Sequence, residues 1–143
     1  QDFKNSFLIV ESGFTQSDKE VGLKKNIGKK TSGTKGHFFS NFNMSLINSN
    51  KENSNLEINT EKVSGVNYFE THNIETTLVP DKKNIMKNYI SYNYQNEDLY
   101  FGLTPGIYIN TQKSGNSRYE YNFPLAAEKK IMSSEKFGFL DLD

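Results

Sequence analysis

Across residues 85–130, apolar and polar side chains alternate through three consecutive segments. The odd positions from Leu99 to Ile109 read Leu99, Phe101, Leu103, Pro105, Ile107 and Ile109, while the even ones read Tyr100, Gly102, Thr104, Gly106, Tyr108 and Asn110. The pattern returns with Tyr119, Tyr121, Phe123, Leu125 and Ala127 set between Arg118, Glu120, Asn122, Pro124, Ala126 and Glu128. A period of two places neighbouring side chains on opposite faces of an extended strand, so each segment has one greasy and one polar face. Strands of about ten residues with that division, linked by short polar turns, meet the requirement for a membrane-spanning β-barrel.

Composition agrees with strands that bury only one face. Of 143 residues, 34% are apolar, below the roughly 45–50% usual for globular domains even though that figure also counts glycine. Aromatics supply 13%, as 11 Phe and 8 Tyr, which separates the chain from disordered sequences poor in such residues. Seventeen basic and seventeen acidic residues cancel, so charge gives no case for nucleic acid. The absence of Cys excludes disulfides, thiolate metal sites and thiol nucleophiles within this stretch. No apolar run approaches the roughly 20 residues of a membrane helix. The opening Gln1-Asp2-Phe3-Lys4 lacks an initiator Met and a signal-peptide core, and the last residues sit within a strand pattern. The expectation is a single partial domain over 1–143, cut from a longer protein, with no domain boundary inside it.

Nine strands are expected, near 3–14, 19–27, 35–47, 54–64, 66–79, 85–95, 98–111, 117–130 and 135–143. The third sets Phe38, Phe42, Met44 and Leu46 against His37, Asn41, Asn43 and Ser45; the fourth sets Leu56 and Ile58 against Asn55, Glu57 and Asn59. The fifth places Val66, Tyr68, Ile74 and Leu78 together, with Glu70 out of pattern, and the sixth opposes Ile90, Tyr92 and Tyr94 to Ser91, Asn93 and Gln95. Phe7, Leu8, Ile9 and Val10 form an unbroken apolar run, which leaves the first strand ambiguous. Turn-forming residues fall at 15–18, 48–53, 64–65, 80–84, 96–98, 113–117 and 133–134. Short links between successive strands require an antiparallel meander, so the fold class is all-β, an up-and-down sheet of about eight or nine strands. Pro105 and Pro124 remove ladder donors and are expected to mark bulges; Gly102 and Gly106 permit a bend or close packing.

No constellation carries catalytic chemistry, and a non-enzymatic role without cofactor or metal is expected. Gly22 to Lys30 has five residues between its glycines, Lys30 in place of Ser/Thr, and no βα unit, so it is not a phosphate loop. His37 and His72 lack a neighbour at metal-ligand spacing and are expected to be solvated on polar strand faces. Asp141 and Asp143 form no glycosidase pair without a cleft. Asn43-Met44-Ser45 is a formal glycosylation sequon inside a strand. Lys24, Lys25, Lys29, Lys30 and Lys35 could touch anionic phosphates such as lipid headgroups, but a solvated basic loop in a neutral chain is the expectation.

The segments Gln1-Asp-Phe-Lys-Asn-Ser-Phe-Leu-Ile-Val-Glu-Ser-Gly-Phe14, Glu97-Asp-Leu-Tyr-Phe-Gly-Leu103 and Arg118-Tyr-Glu-Tyr-Asn-Phe-Pro124 resemble early barrel strands of the LptD family. These are the lipopolysaccharide-assembly outer-membrane proteins, also called organic solvent tolerance proteins. The similarity runs over the whole chain but consists of loose strand patterns. It implies the N-terminal portion of a large barrel in the bacterial outer membrane that delivers lipopolysaccharide to the outer leaflet. An LptE-like plug lipoprotein and an LptA-like periplasmic bridge are the implied partners, and no nucleic acid is involved. The family's jellyroll, disulfides and lateral gate have no counterpart residues in this stretch.

In such a wall, Leu99, Phe101, Leu103, Ile107, Ile109, Tyr119, Tyr121, Phe123 and Leu125 would face lipid, and Tyr100, Thr104, Asn110, Arg118, Glu120 and Asn122 the lumen. The same alternation also suits another outer-membrane barrel, such as a porin or uptake receptor. A soluble β-sandwich or adhesin-type binding module is the alternative of a different class, with Greek-key crossings and a second sheet on the greasy face.

Overall fold

Alternation over most of the chain produces strands, and the turns set their order. The computed structural model describes residues 5–16, 34–65, 68–69, 74–79, 84–134 and 138–142; side chains are described within these except at 15–16, 34, 130–134 and 138–142. The strands are β1 (Ser6–Gln16), β2 (Thr34–Asn48), β3 (Glu52–Val63), β4 (Ile85–Asn96), β5 (Leu99–Leu103), β6 (Gly106–Asn110), β7 (Tyr119–Asn122), β8 (Leu125–Ser134) and β9 (Gly138–Leu142). All pair antiparallel in one sheet, in the spatial order β1-β2-β3-β4-β5-β8-β9, with β6 beside β4 and β7 beside β6. β5 and β6 follow one another along the same flank of β4, and β7 and β8 do the same along β6 and β5. The sheet is therefore an open up-and-down meander, and β1 is not paired with β9.

Tight connections close one end of the sheet. Ser49 Oγ accepts the Glu52 N–H at 2.9 Å, and the Ser49 N–H reaches Glu52 O at 2.9 Å, so β2 turns into β3. Asn96 Oδ1 accepts the N–H groups of Asp98 and Leu99 at 2.9 and 2.7 Å, an Asx turn joining β4 to β5. The chain leaves β1 for β2, β3 for β4 and β6 for β7 at the other end, the last step through 111–118 with its 3-10 turn Gly115–Arg118. Among the described residues no helix is long and apolar enough to cross a membrane, which says nothing about strands.

Both prolines interrupt strands without forming bulges. Leu103↔Leu125 lies on one side and Gly106↔Asn122 on the other, leaving two residues on each strand, so the register is unshifted. The carbonyls stay in the ladder: Thr104 N–H donates to Pro124 O at 3.0 Å, and Ile90 N–H to Pro105 O at 3.1 Å. Each proline thus withholds one N–H and leaves the path of the strand intact. The register shifts lie elsewhere, between Ser45 and Ile47 in β2 and between Lys130 and Met132 in β8.

Other expectations change as well. Among the described residues of 66–79 there is no strand: they are a helical turn at Tyr68 and Phe69 and an irregular run at 74–79, so Ser64 and Gly65 open, and Asn84 closes, the link from β3 to β4. Residues 117–118 belong to the 3-10 turn, Thr15 and Gln16 extend β1, and β8 runs through the expected turn at 133–134. The expected strand at 19–27 and the basic loop, apart from Lys35 in β2, lie outside the described residues, as do His72 and Asp143.

The small core forms at the long-connection end. Phe39 from β2, Met86 from β4, and Phe69 and Val79 from the connection are buried together, with Val63, Ile74, Leu78 and Ile109 packed around them. The side chains of the misplaced fifth strand thus pack as a loop cap.

Candidate functional site

Register sorts the side chains into two faces. On one, the row Leu8–Phe42–Ile58–Ile90–Pro105–Phe123 crosses six strands, taking in Thr104-Pro105 and Phe123-Pro124 as parts of their strands. A second row follows through Met44, Leu56, Tyr92, Leu103 and Leu125. Large members stand in solvent: Tyr121 is 77% exposed, Phe123 70% and Leu125 61%. These side chains form a contiguous exposed apolar belt on one face of the sheet.

The opposite face is polar and bonded to itself. Asn41 Nδ2 donates to Glu57 Oε1 at 2.9 Å, and Tyr89 Oη donates to the same oxygen at 2.8 Å. Ser91 and Thr104 hydroxyls meet at 2.9 Å, and Tyr100 Oη reaches Asn93 Oδ1 at 3.4 Å. Gly102 and Gly106 lie in this face because there is no room for more. A Cβ at Gly102 would stand 2.7 Å from Tyr100 Oη, and one at Gly106 3.0 Å from Tyr89 Cβ.

Beyond the Asn59↔Tyr89 pair the β3–β4 ladder stops, and side chains replace it. Glu61, only 7% exposed, accepts the Lys87 N–H at 2.7 Å and the Asn59 amide at 3.0 Å. Asn59 also donates to Lys87 O at 2.8 Å, and the Glu61 N–H donates to Asn88 Oδ1 at 3.1 Å. Buried backbone groups are thereby satisfied where strands part, as the cost of leaving them unpaired demands.

The long β3–β4 connection docks where β3 and β4 part, meeting Phe39 from the polar face and Met86 and Ile109 from the apolar one. Glu11, Phe39 and Glu61 share one register row, and Gly13, His37 and Val63 the next. The His37 side chain is buried between Glu11, with Nε2 3.4 Å from Oε1, and Tyr68, with Nδ1 3.1 Å from Oη. Its ring stacks on Phe39 at 4.9 Å, and Phe39 stacks on Phe69 at 5.7 Å. Thr76 Oγ1 donates to Glu11 Oε2 at 2.7 Å, a second tie from the connection to β1. Burial raises the Tyr68 phenol above its ordinary value of 10.0. The expectation of a solvated His37 is overturned, because a segment remote in sequence closes over it.

The residues expected to face lipid share a single face in register: Leu103↔Leu125, Ile107↔Tyr121 and Ile109↔Tyr119. Leu99, Ile107, Tyr119, Tyr121, Phe123 and Leu125 are exposed, Phe101 and Leu103 half-buried, and Ile109 packs against the core. Tyr100, Thr104, Asn110, Glu120 and Asn122 share the other face; Asn110 spends its Oδ1 on the Gln112 N–H at 3.0 Å. Arg118 ends the 3-10 turn, 5.4 Å from the centre of the Tyr119 ring. Asn43 sits in β2, and Asp141 pairs with Lys130 in register. Sequence reasoning missed the Glu11–His37–Tyr68 contact, because its three residues come from separated segments.

No family model, curated protein or solved structure matches this chain.

Proposed function

We propose that the chain forms part of the wall of a transmembrane β-barrel in the bacterial outer membrane, with the apolar face toward lipid and the polar face toward the lumen. The role is transport and not catalysis. The observation that carries it is the apolar belt that crosses six strands while the same strands hold a hydrogen-bonded polar face behind it.

Dimensions support the assignment. The ten steps from Leu99 to Ile109 cover about 33 Å of strand, or about 23 Å of depth at a tilt near 45°, against an apolar band of about 25 Å in known barrels. Short turns at one end and long connections at the other reproduce the usual division between periplasmic and extracellular sides. Among the described residues β1 and β9 are the outermost strands of the sheet, where further strands would complete the wall.

The cargo follows from the resemblance to the LptD family: lipopolysaccharide passing to the outer leaflet, with LptE-like and LptA-like partners. A porin or uptake receptor is the second form of the proposal. It is favoured by Glu57, Glu120 and Glu128 on the polar face, which disfavour a phosphate-bearing glycolipid.

The wall assignment is tested by assembly into outer membranes. Arg at the bilayer midplane on the lipid face costs about 2–4 kcal/mol. Phe101→Arg should therefore reduce heat-modifiable, membrane-fractionated protein far more than Thr104→Arg; equal effects, or a protein recovered soluble, would remove the assignment. Depletion should lower surface lipopolysaccharide if the cargo is right, and solute uptake if the porin form is.

A further inference from the structure

We propose that a second site, at the long-connection end of the sheet, binds a phosphate-class oxyanion. A cavity of about 260 Å³ lies there between the end of β3 and the β6–β7 connection, lined by residues that include Ser64, Lys113, Ser114 and Arg118. Among the described residues that line it there is no carboxylate, although the chain as a whole is neutral.

Arg118 carries the inference. Its Nε is buried and has no hydrogen-bond partner among the described residues. A phosphate oxygen in the cavity would bond the outer guanidinium nitrogens of Arg118, which lines it, because charge-assisted bonds from Arg to phosphate are among the strong ones. Neither Lys113 nor Arg118 has an ion pair among those described, so both charges remain available.

Ser64 adds a neutral donor. Its Oγ accepts the Gly36 N–H at 2.8 Å, and its own N–H donates to Gly36 O at 2.9 Å, which fixes the residue and leaves the hydroxyl proton for a ligand. The 111–118 wall is held by Thr111, whose N–H and Oγ1 both donate to Asn84 O at 2.7 and 3.1 Å. The Ser64 wall is thus tied to Gly36 in β2, and the basic wall to Asn84 just before β4.

The shared chemistry is a phosphate group, free in solution or borne by a lipid headgroup. The full chain, in detergent, is titrated with inorganic phosphate by calorimetry. It is also tested against phosphatidylcholine vesicles with and without phosphatidic acid. The site requires saturable binding in at least one arm, weakening with added sodium chloride. Binding of phosphate that also competes with the vesicles identifies the free ion; binding confined to phosphatidic acid vesicles identifies the headgroup.

Arg118→Gln should weaken binding about tenfold or more, as loss of a charged donor implies. Lys113 is exposed, so Lys113→Gln folds normally and should weaken binding several-fold. Lys51→Gln, in the turn at the other end, should leave it unchanged. Absence of saturable binding in both arms, or equal loss in Lys51→Gln and Lys113→Gln, overturns the site. Because the phosphate arm needs no membrane, the site and the barrel assignment can fail separately.

Discussion

Gly13 shows how one absent side chain organises a site. A Cβ there would lie 2.6 Å from His37 Cε1, inside the ring's seat between Glu11, Phe39 and Tyr68. Gly13→Ala should displace the ring and cost about 1–3 kcal/mol, as overpacking does, measured by denaturant unfolding against wild type. Phe39 is wholly buried between His37 and Phe69, so Phe39→Ala should lose about 3–5 kcal/mol in the same experiment. The raised pKa of Tyr68 gives a signed pH effect. Its stabilisation is complete below pH 10.0 and is lost as pH climbs through the higher folded value, so Tyr68→Phe should flatten the alkaline end of the stability curve. None of these contacts is visible locally, because Glu11, His37 and Tyr68 come from three separated segments.

Between elements, the informative contrast is proline against bulge. Both prolines lie in register, so Pro105→Ala restores one N–H opposite Ile90 and changes nothing in strand path. The added bond, about 1 kcal/mol, is offset by the greater freedom of the unfolded chain, about 0.4–1 kcal/mol. Stability should stay nearly constant, and amide exchange should show the new N–H at that position protected with β6 register unchanged; a register slip would contradict the ladder. The 64–84 connection illustrates the reverse error. Its aromatic and branched residues imitate a strand, yet Tyr68, Phe69, Leu78 and Val79 bury themselves against β2 and β4 instead of pairing. Removing the tie at Glu11 by Glu11→Gln should increase protease cleavage within this connection while leaving the sheet resistant.

For the whole molecule, the distribution of connections assigns direction. If the long connections are extracellular, Gln112→Cys should be labelled by a membrane-impermeant maleimide on intact cells, and Asn50→Cys only after lysis. Both positions are exposed, so the difference reports sidedness and not burial. The reverse pattern would invert the wall, and equal labelling would place the chain outside a membrane.

Alternation with period two determined by itself that β2, β3, β4 and the two proline-interrupted strands exist, and it placed Leu99 through Leu125 on their faces. This works because facing is a local property of extended backbone, repeated every second residue. Asn96-Glu97-Asp98 likewise encodes its own turn through the Asn96 side chain. Only the tertiary structure decided which apolar residues leave the belt: Ile109 and Met86 turn to the core because a remote connection supplies Phe69 and Val79. It also buried the His37 ring and set Arg118 in the wall of a cavity beside Ser64, since both depend on contacts between segments far apart in the chain. The exposed apolar belt was legible early; the capped end and its basic cavity required the fold.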